Sequence, residues 1–220
     1  MTIKDKTMLQ HANPIIVTLH DAIQQGLTTG IPYDFDLLEE YAGQLKVLIF
    51  ETAVQSDEQL DLHDLYLEKD IAGMIFRSDL QVDNTIFDFE LDTYSCFLQI
   101  AGNLRCRNLV AGCAIIHVAG NVTVTDTLLG FYNHGEITIG GDLHAKLWIE
   151  DDHQTLVKGA VHAVSFMPDE PIATPDYTDW HDILLPEAAT TLLDKEYLFG
   201  GDVRLIQMII DGQPVFRSDL

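Results

Sequence analysis

Glycine recurs at positions 102, 120, 141 and 159, in steps of 18, 21 and 18 residues, each time inside the same alternating frame. The frame reads Leu98-x-Ile100-x-Gly102-x-Leu104-x-Cys106, then Ile116-x-Val118-x-Gly120-x-Val122-x-Val124, Ile137-x-Ile139-x-Gly141-x-Leu143-x-Ala145 and Thr155-x-Val157-x-Gly159-x-Val161-x-Ala163. A weaker copy, Leu80-x-Val82-x-Asn84-x-Ile86, lies a further 18 residues upstream, which makes five rungs. A repeat of this length decides the architecture before any single segment does. Inside it a finer period of six runs through Leu98, Leu104, Val110, Ile116, Val122 and Leu128. Alternation of two within a period of six describes short strands that turn a corner every six residues.

Three such strands close one coil of a triangular β-solenoid, and coils stacked about 4.8 Å apart place equal positions in ladders. The chain is therefore expected to be mainly β, a solenoid of 18-residue coils with helical or mixed N- and C-terminal segments. Ile100, Val118, Ile139 and Val157 form the expected inward ladder, with Gln99, His117 and Thr138 facing out. Glycine at the corner suggests a turn with positive φ. The residues that follow it, Asn103, Asn121 and Asp142, suit a ladder of side chains bonded to neighbouring backbone.

The flanks differ from the coils in charge. Residues 1–97 carry 18 acidic and 5 basic residues, residues 98–167 carry 6 and 4, and residues 168–220 carry 11 and 3. Pro168, Pro171 and Pro175 punctuate the end of the repeat. Three parts are expected: a helical or mixed segment 1–45, a solenoid 46–167 and a helical cap 168–220. Pro14 to Gln25 has helical spacing and a stop at Gly26, and Asp34 or Asp36 can cap a second helix reaching Leu45. Val47 to Phe50 reads as a strand, and Pro186 to Leu193 and Asp202 to Ile210 as helices, with Asp202 as a cap and Gly212 as a stop. Both flanks are expected to shield the solenoid ends.

The frame I-x-G-[ND]-[LV]-x-[VA] resembles the bactofilin-like, polymer-forming cytoskeletal β-helix proteins, over about residues 60–167. Phe131-Tyr132-Asn133-His134-Gly135, followed by Gly141-Asp142-Leu143-His144-Ala145 and Asp151-Asp152-His153, is similar to a bacterial subgroup placed with them without an established activity. The resemblance implies a right-handed β-helix that self-associates. Long acidic flanks depart from a filament former, so a monomer or small homo-oligomer is expected instead. The period of six also evokes hexapeptide acyltransferases. Their small inward residues are matched poorly by pairs such as Leu98 with Ile100, and no Lys/Arg cluster awaits the phosphates of acyl-CoA.

A net charge of −23 disfavours nucleic acid and anionic membranes and favours a basic protein partner, such as a toxin that this chain would neutralise. Three cysteines without a CxxC pair, and no export signal, fit the cytoplasm. No nucleophile elbow, phosphate loop, HExxH or dinucleotide fingerprint is present, and no cofactor is indicated. Cys106 falls on the inward ladder, while Cys96 and Cys113 fall near corners.

One corner stands out. The 21-residue step places extra residues near 129–134, and stacking sets Phe131, Tyr132, Asn133 and His134 beside Asp151, Asp152 and His153. This is the expected binding surface. His134, Asp151, Asp152 and His153 also have the donor types of a divalent-metal site, and hydrogen bonding within an irregular corner is the alternative. His144 and His162 stack outward one coil apart, as a surface ladder. The function expected is a non-enzymatic binding or assembly module; the alternative is an acyltransferase-like or metal-dependent enzyme using the His/Asp corner.

Overall fold

The structure, a computed structural model, describes residues 12–32, 35–38, 40–89, 93–166, 183–193 and 204–217. Among the described residues fourteen strands build two sheets that wrap one interior. The first sheet takes β1 (Ile15–Thr18), β2 (Lys46–Phe50), β5 (Ile71–Phe76), β7 (Phe97–Ile100), β9 (Ile115–Val118), β11 (Glu136–Ile139) and β13 (Gln154–Val157) in that order. The second takes β3 (Val54–Ser56), β6 (Leu80–Phe87), β8 (Leu104–Ala111), β10 (Val122–Phe131), β12 (Leu143–Asp151) and β14 (Val161–Phe166), with β4 (Leu60–Asp61) also paired to β6. Every pairing from β2 onward is parallel, and the chain alternates between sheets, so it climbs as a solenoid of six turns. The long second-sheet strands break register midway, as between Val124 and Leu128, and this bend divides the sheet into a second and a third face.

Alternation settles which side chains enter. Ile100, Val118 and Ile139 are 0% exposed, stacked in register, and share the interior with Leu98, Ile116, Ile137, Leu104, Cys106, Val122, Val124 and Leu109. Fully burying an aliphatic side chain of this size stabilises by about 1.5–3 kcal/mol, so the ladder is the main adhesive between coils. Near the first coil Phe50 and Phe76 continue it as parallel rings 4.6 Å apart.

The corner glycines serve a purpose other than the expected one. Gly102, Gly120, Gly141 and Gly159 do not have positive φ; among the described glycines only Gly26, Gly30 and Gly212 do. Each corner instead rests on the corner below. A Cβ on Gly120 would meet the Gly102 carbonyl oxygen at 2.6 Å, and one on Gly159 would meet that of Gly141 at 2.5 Å. The Asn/Asp ladder is as expected. Asp79 Oδ1 accepts from Asn103 N–H at 2.7 Å, Asn103 Oδ1 from Asn121 at 2.9 Å, Asn121 Oδ1 from Asp142 at 2.9 Å and Asp142 Oδ1 from Ala160 at 2.8 Å.

This ladder corrects the weakest repeat. Leu80 stacks on Leu104 and Phe76 on Ile100, a step of 24 residues, so Ser78-Asp79 is the counterpart of Gly102-Asn103. The extra residues fall in the 88–96 connection, pinned by Asp88. Its carboxylate accepts from Ser95 Oγ at 2.6 Å and from the amides of Cys113 and Ala114 at 2.6 and 2.7 Å. In the first coil, helix α2 (Leu62–Leu67) replaces a strand, capped by Asp61 and burying Leu62 and Leu65 in the interior.

The described parts of the flanks pack sideways. The expected helix over 14–25 divides into β1 and a shorter helix α1 (Leu19–Gln24), because the β-branched run Ile15-Ile16-Val17-Thr18 finds the open edge of β2 and pairs with it antiparallel. The expected second helix is one 3₁₀ turn, Phe35–Leu38, followed by turns that bring Leu38, Ala42 and Leu45 onto the first face. There they cover the outward Val47, Ile49, Ile75 and Phe97. Helices α3 (Pro186–Leu193) and α4 (Arg204–Ile210) form where expected, and Gly212, at φ 67°, follows α4. They lie along the third face, over Val110, Leu129, Leu147 and Ile149, rather than over the last coil. Asp34, Glu39, Asp202 and the proline boundary at 168–175 lie outside the described residues.

Candidate functional site

Among the described residues the flanks cover the first coils of the first face and the third face, and two exposed polar features stand out: the corner that joins β10 to β11, and the second face. The corner follows Phe131, whose partner in register is Asp151. The Tyr132 amide donates to the Asp151 carbonyl at 3.1 Å, and Asn133 Nδ2 donates to Asp152 Oδ2 at 3.1 Å. The Tyr132 and His134 rings meet edge to face, 4.6 Å between centroids. Stacking thus sets Tyr132 and Asn133 beside Asp151 and Asp152 of the next coil. Two of them are strained: Tyr132 has φ 73° and Asp152 φ 50°, and for a bulky aromatic the left-handed region is a real outlier.

Phe131 departs from expectation. It is 1% exposed, because its side of β10 faces the C-terminal helices, whose apolar residues close over it. Tyr132 is half-buried at the margin of the same cluster, while Asn133, His134 and Asp152 are exposed. His153 turns inward. Its ring lies over Gly130, Nδ1 is 3.3 Å from Thr155 Oγ1, and Nε2 is buried without a hydrogen-bond partner. Burial holds its pKa down at about 4. Beside it Glu150 accepts from Trp148 Nε1 and from Thr155 N–H, both at 3.0 Å, and burial raises its pKa. With His153 turned in, His134, Asp151, Asp152 and His153 do not converge as a group of ligands. Among the described residues the group of three whose ligand atoms do converge, within 4.8 Å of one another, is Asp142, His144 and His162.

That group stands on the second face. The outward ladder there runs Gln81, Arg105, Thr123, His144 and His162, each in register with the next. The imidazoles of His144 and His162 are exposed and stacked, with centroids 4.5 Å apart and planes 13° from parallel. Sequence reading paired the two histidines and passed over Asp142 as their third member. The signal was available in the ladder, which reads Asp79, Asn103, Asn121 and Asp142, and only at Asp142 is the carboxylate followed two residues later by a histidine.

The cysteines offer no exposed nucleophile. Cys96, Cys106 and Cys113 are free and buried, and burial pushes the Cys96 thiol up and the Cys106 thiol to about 12. Cys96 and Cys113, expected near corners, are both buried: Cys96 belongs to the interior core, and the Cys113 amide donates to Asp88. Among the described residues no helix is long and apolar enough to cross a membrane. Comparison with protein-family models, with curated proteins and with solved structures finds no match.

Proposed function

We propose that the chain is a non-enzymatic binding module of the bacterial cytoplasm that presents the corner Tyr132-Asn133-His134, with Asp152 of the next coil, to a basic protein partner such as a toxin. The observation that carries this reading is the paired strain at Tyr132 and Asp152, two left-handed non-glycine residues stacked on adjacent coils. Strain of this kind costs on the order of 1–3 kcal/mol per residue and persists where surrounding structure over-determines it, most often at recognition sites. A net charge of −23 supports a cationic partner, whose encounter the field would accelerate. The test is co-purification from the native cells with the wild type and with an Asn133→Ala/His134→Ala/Asp152→Ala variant. A basic protein retained by the wild type, lost from the variant, and released at about 0.5 M salt supports the reading. Equal retention by both proteins, or recovery of none, counts against it.

A second reading, self-association, is favoured by the last coil. Among the described residues β13 and β14 each end a sheet, and Leu156 and Val161 are 49% and 44% exposed. At the other end β1 occupies the edge of the first sheet by antiparallel pairing. The antiparallel β1 makes the two ends of the described solenoid unlike, which suits a dimer joined through the last coil more than a head-to-tail filament. Sedimentation tests this: a concentration-dependent dimer that Val161→Lys abolishes is expected, and long polymers or an invariant monomer would contradict it.

A further inference from the structure

We infer that Asp142, His144 and His162 form a binding site for a divalent transition-metal ion, zinc or nickel in chemistry, on the uncovered second face of the solenoid. Two imidazoles and one carboxylate are donors that these ions accept, with remaining positions open to water or to a partner's side chain. Three independent features of the fold place them together. Parallel register sets His144 opposite His162 on β12 and β14. The corner ladder holds Asp142 from both sides, since its amide donates to Asn121 Oδ1 and its own Oδ1 accepts from Ala160 N–H. The same two positions on earlier coils read Asn103 with Arg105 and Asn121 with Thr123, so the donors coincide only on the last two coils.

The ligands are also free to close. Each imidazole stacks on the other, and both rings are exposed. Zinc bonds of about 2.0–2.2 Å require neighbouring donor atoms roughly 3.3 Å apart. The present spread is up to 4.8 Å, and rotation about the side-chain torsions of the two exposed histidines would narrow it. An ion held this way would fasten β14, the last strand of its sheet, to β12 beneath it.

Titration calorimetry of the full chain with ZnCl2, and separately with NiCl2, tests the site. One saturable equivalent is expected, with binding at least about tenfold weaker in His144→Ala and in His162→Ala. Metal should raise the melting temperature of the wild type by mass action and leave that of the double variant unmoved. Asp142→Asn should bind more weakly yet melt, without metal, like the wild type, because Asn103 and Asn121 already serve the same ladder. Undiminished affinity in the His144→Ala/His162→Ala variant, or no saturable binding by the wild type, would overturn the assignment. So would loss of binding in His134→Ala alone, which would move the ion to the neighbouring corner.

Discussion

Asn108 on β8 donates its side-chain amide to the carbonyl of Ile209 at the end of α4, across 3.0 Å and 101 residues of sequence. The same nitrogen reaches Thr85 Oγ1 at 3.2 Å, and Asn108 Oδ1 accepts from Thr127 N–H at 3.1 Å, so one buried side chain joins three coils to the C-terminal helices. Arg107 reinforces the junction at its rim, bonding Asp126 at 3.0 Å and the Gly212 carbonyl at 2.7 Å.

Removing that junction should loosen the flank before the coils. Asn108→Ala leaves the Ile209 carbonyl and the Thr127 amide without their partner, which costs about 1–3 kcal/mol for each buried group left unsatisfied. Proteolysis should then cut within residues 183–217 earlier than in the wild type, while the far-ultraviolet strand signal persists. Simultaneous loss of both would show that the flank and the solenoid are one cooperative unit.

The close stacking of corners predicts opposite outcomes for two alanine substitutions. Gly120→Ala drives a methyl into the Gly102 carbonyl and should cost about 1–3 kcal/mol in urea unfolding. Gly43→Ala meets nothing within 4 Å and has no positive φ, so it should be neutral or stabilise by about 0.4–1 kcal/mol. Equal effects would mean that the corners can part without cost.

The interior ladder and the exposed corner should respond differently to substitution. Val118 is 0% exposed, and Val118→Asp buries a carboxylate without a partner, at a cost of several kcal/mol. His134 is exposed, and His134→Ala should stay within about 0.5 kcal/mol of the wild type. Matching losses in melting temperature would make the corner a structural element and remove the support for its recognition role.

Acid should weaken the fold through His153. Its imidazole titrates at about 4 when folded and at 6.5 when unfolded, so the unfolded chain takes up a proton first as pH falls. The stability is fully present above pH 6.5 and is lost between 6.5 and about 4, by on the order of 3 kcal/mol. Glu150 works the other way, since a raised carboxyl pKa favours the folded state on acidification. Comparing urea midpoints of the wild type and His153→Gln at about pH 7 and about pH 4.5 isolates the histidine. A variant with the same pH dependence as the wild type would refute it.

Spacing alone determined the coil. Alternation of two and a period of 18 are local, one-dimensional properties, and parallel stacking turns them directly into the ladder Ile100, Val118 and Ile139 and the chain of bonds from Asn103 through Asp142. The meeting of Asn133 with Asp152 was legible for the same reason, since adjacent coils must touch at equal corners. Where a contact depended on something outside the period, only the tertiary structure decided it. Ser78-Asp79 takes the corner position without a glycine, so its coil was read six residues out of step. Ile15 to Thr18 has helical spacing but lies beside an unpaired edge, and a hydrogen-bonded partner outweighs a weak local preference. Phe131 is hidden because α3 and α4 lie on the third face, whose outward Val110, Leu129 and Ile149 are apolar and required a cover. Asp142 joins the two histidines because corner and strand positions that are two residues apart in sequence converge on one surface when coils stack. The repeat sets what each coil places above the next; which faces remain open to solvent depends on where the non-repeating flanks bury their own apolar sides.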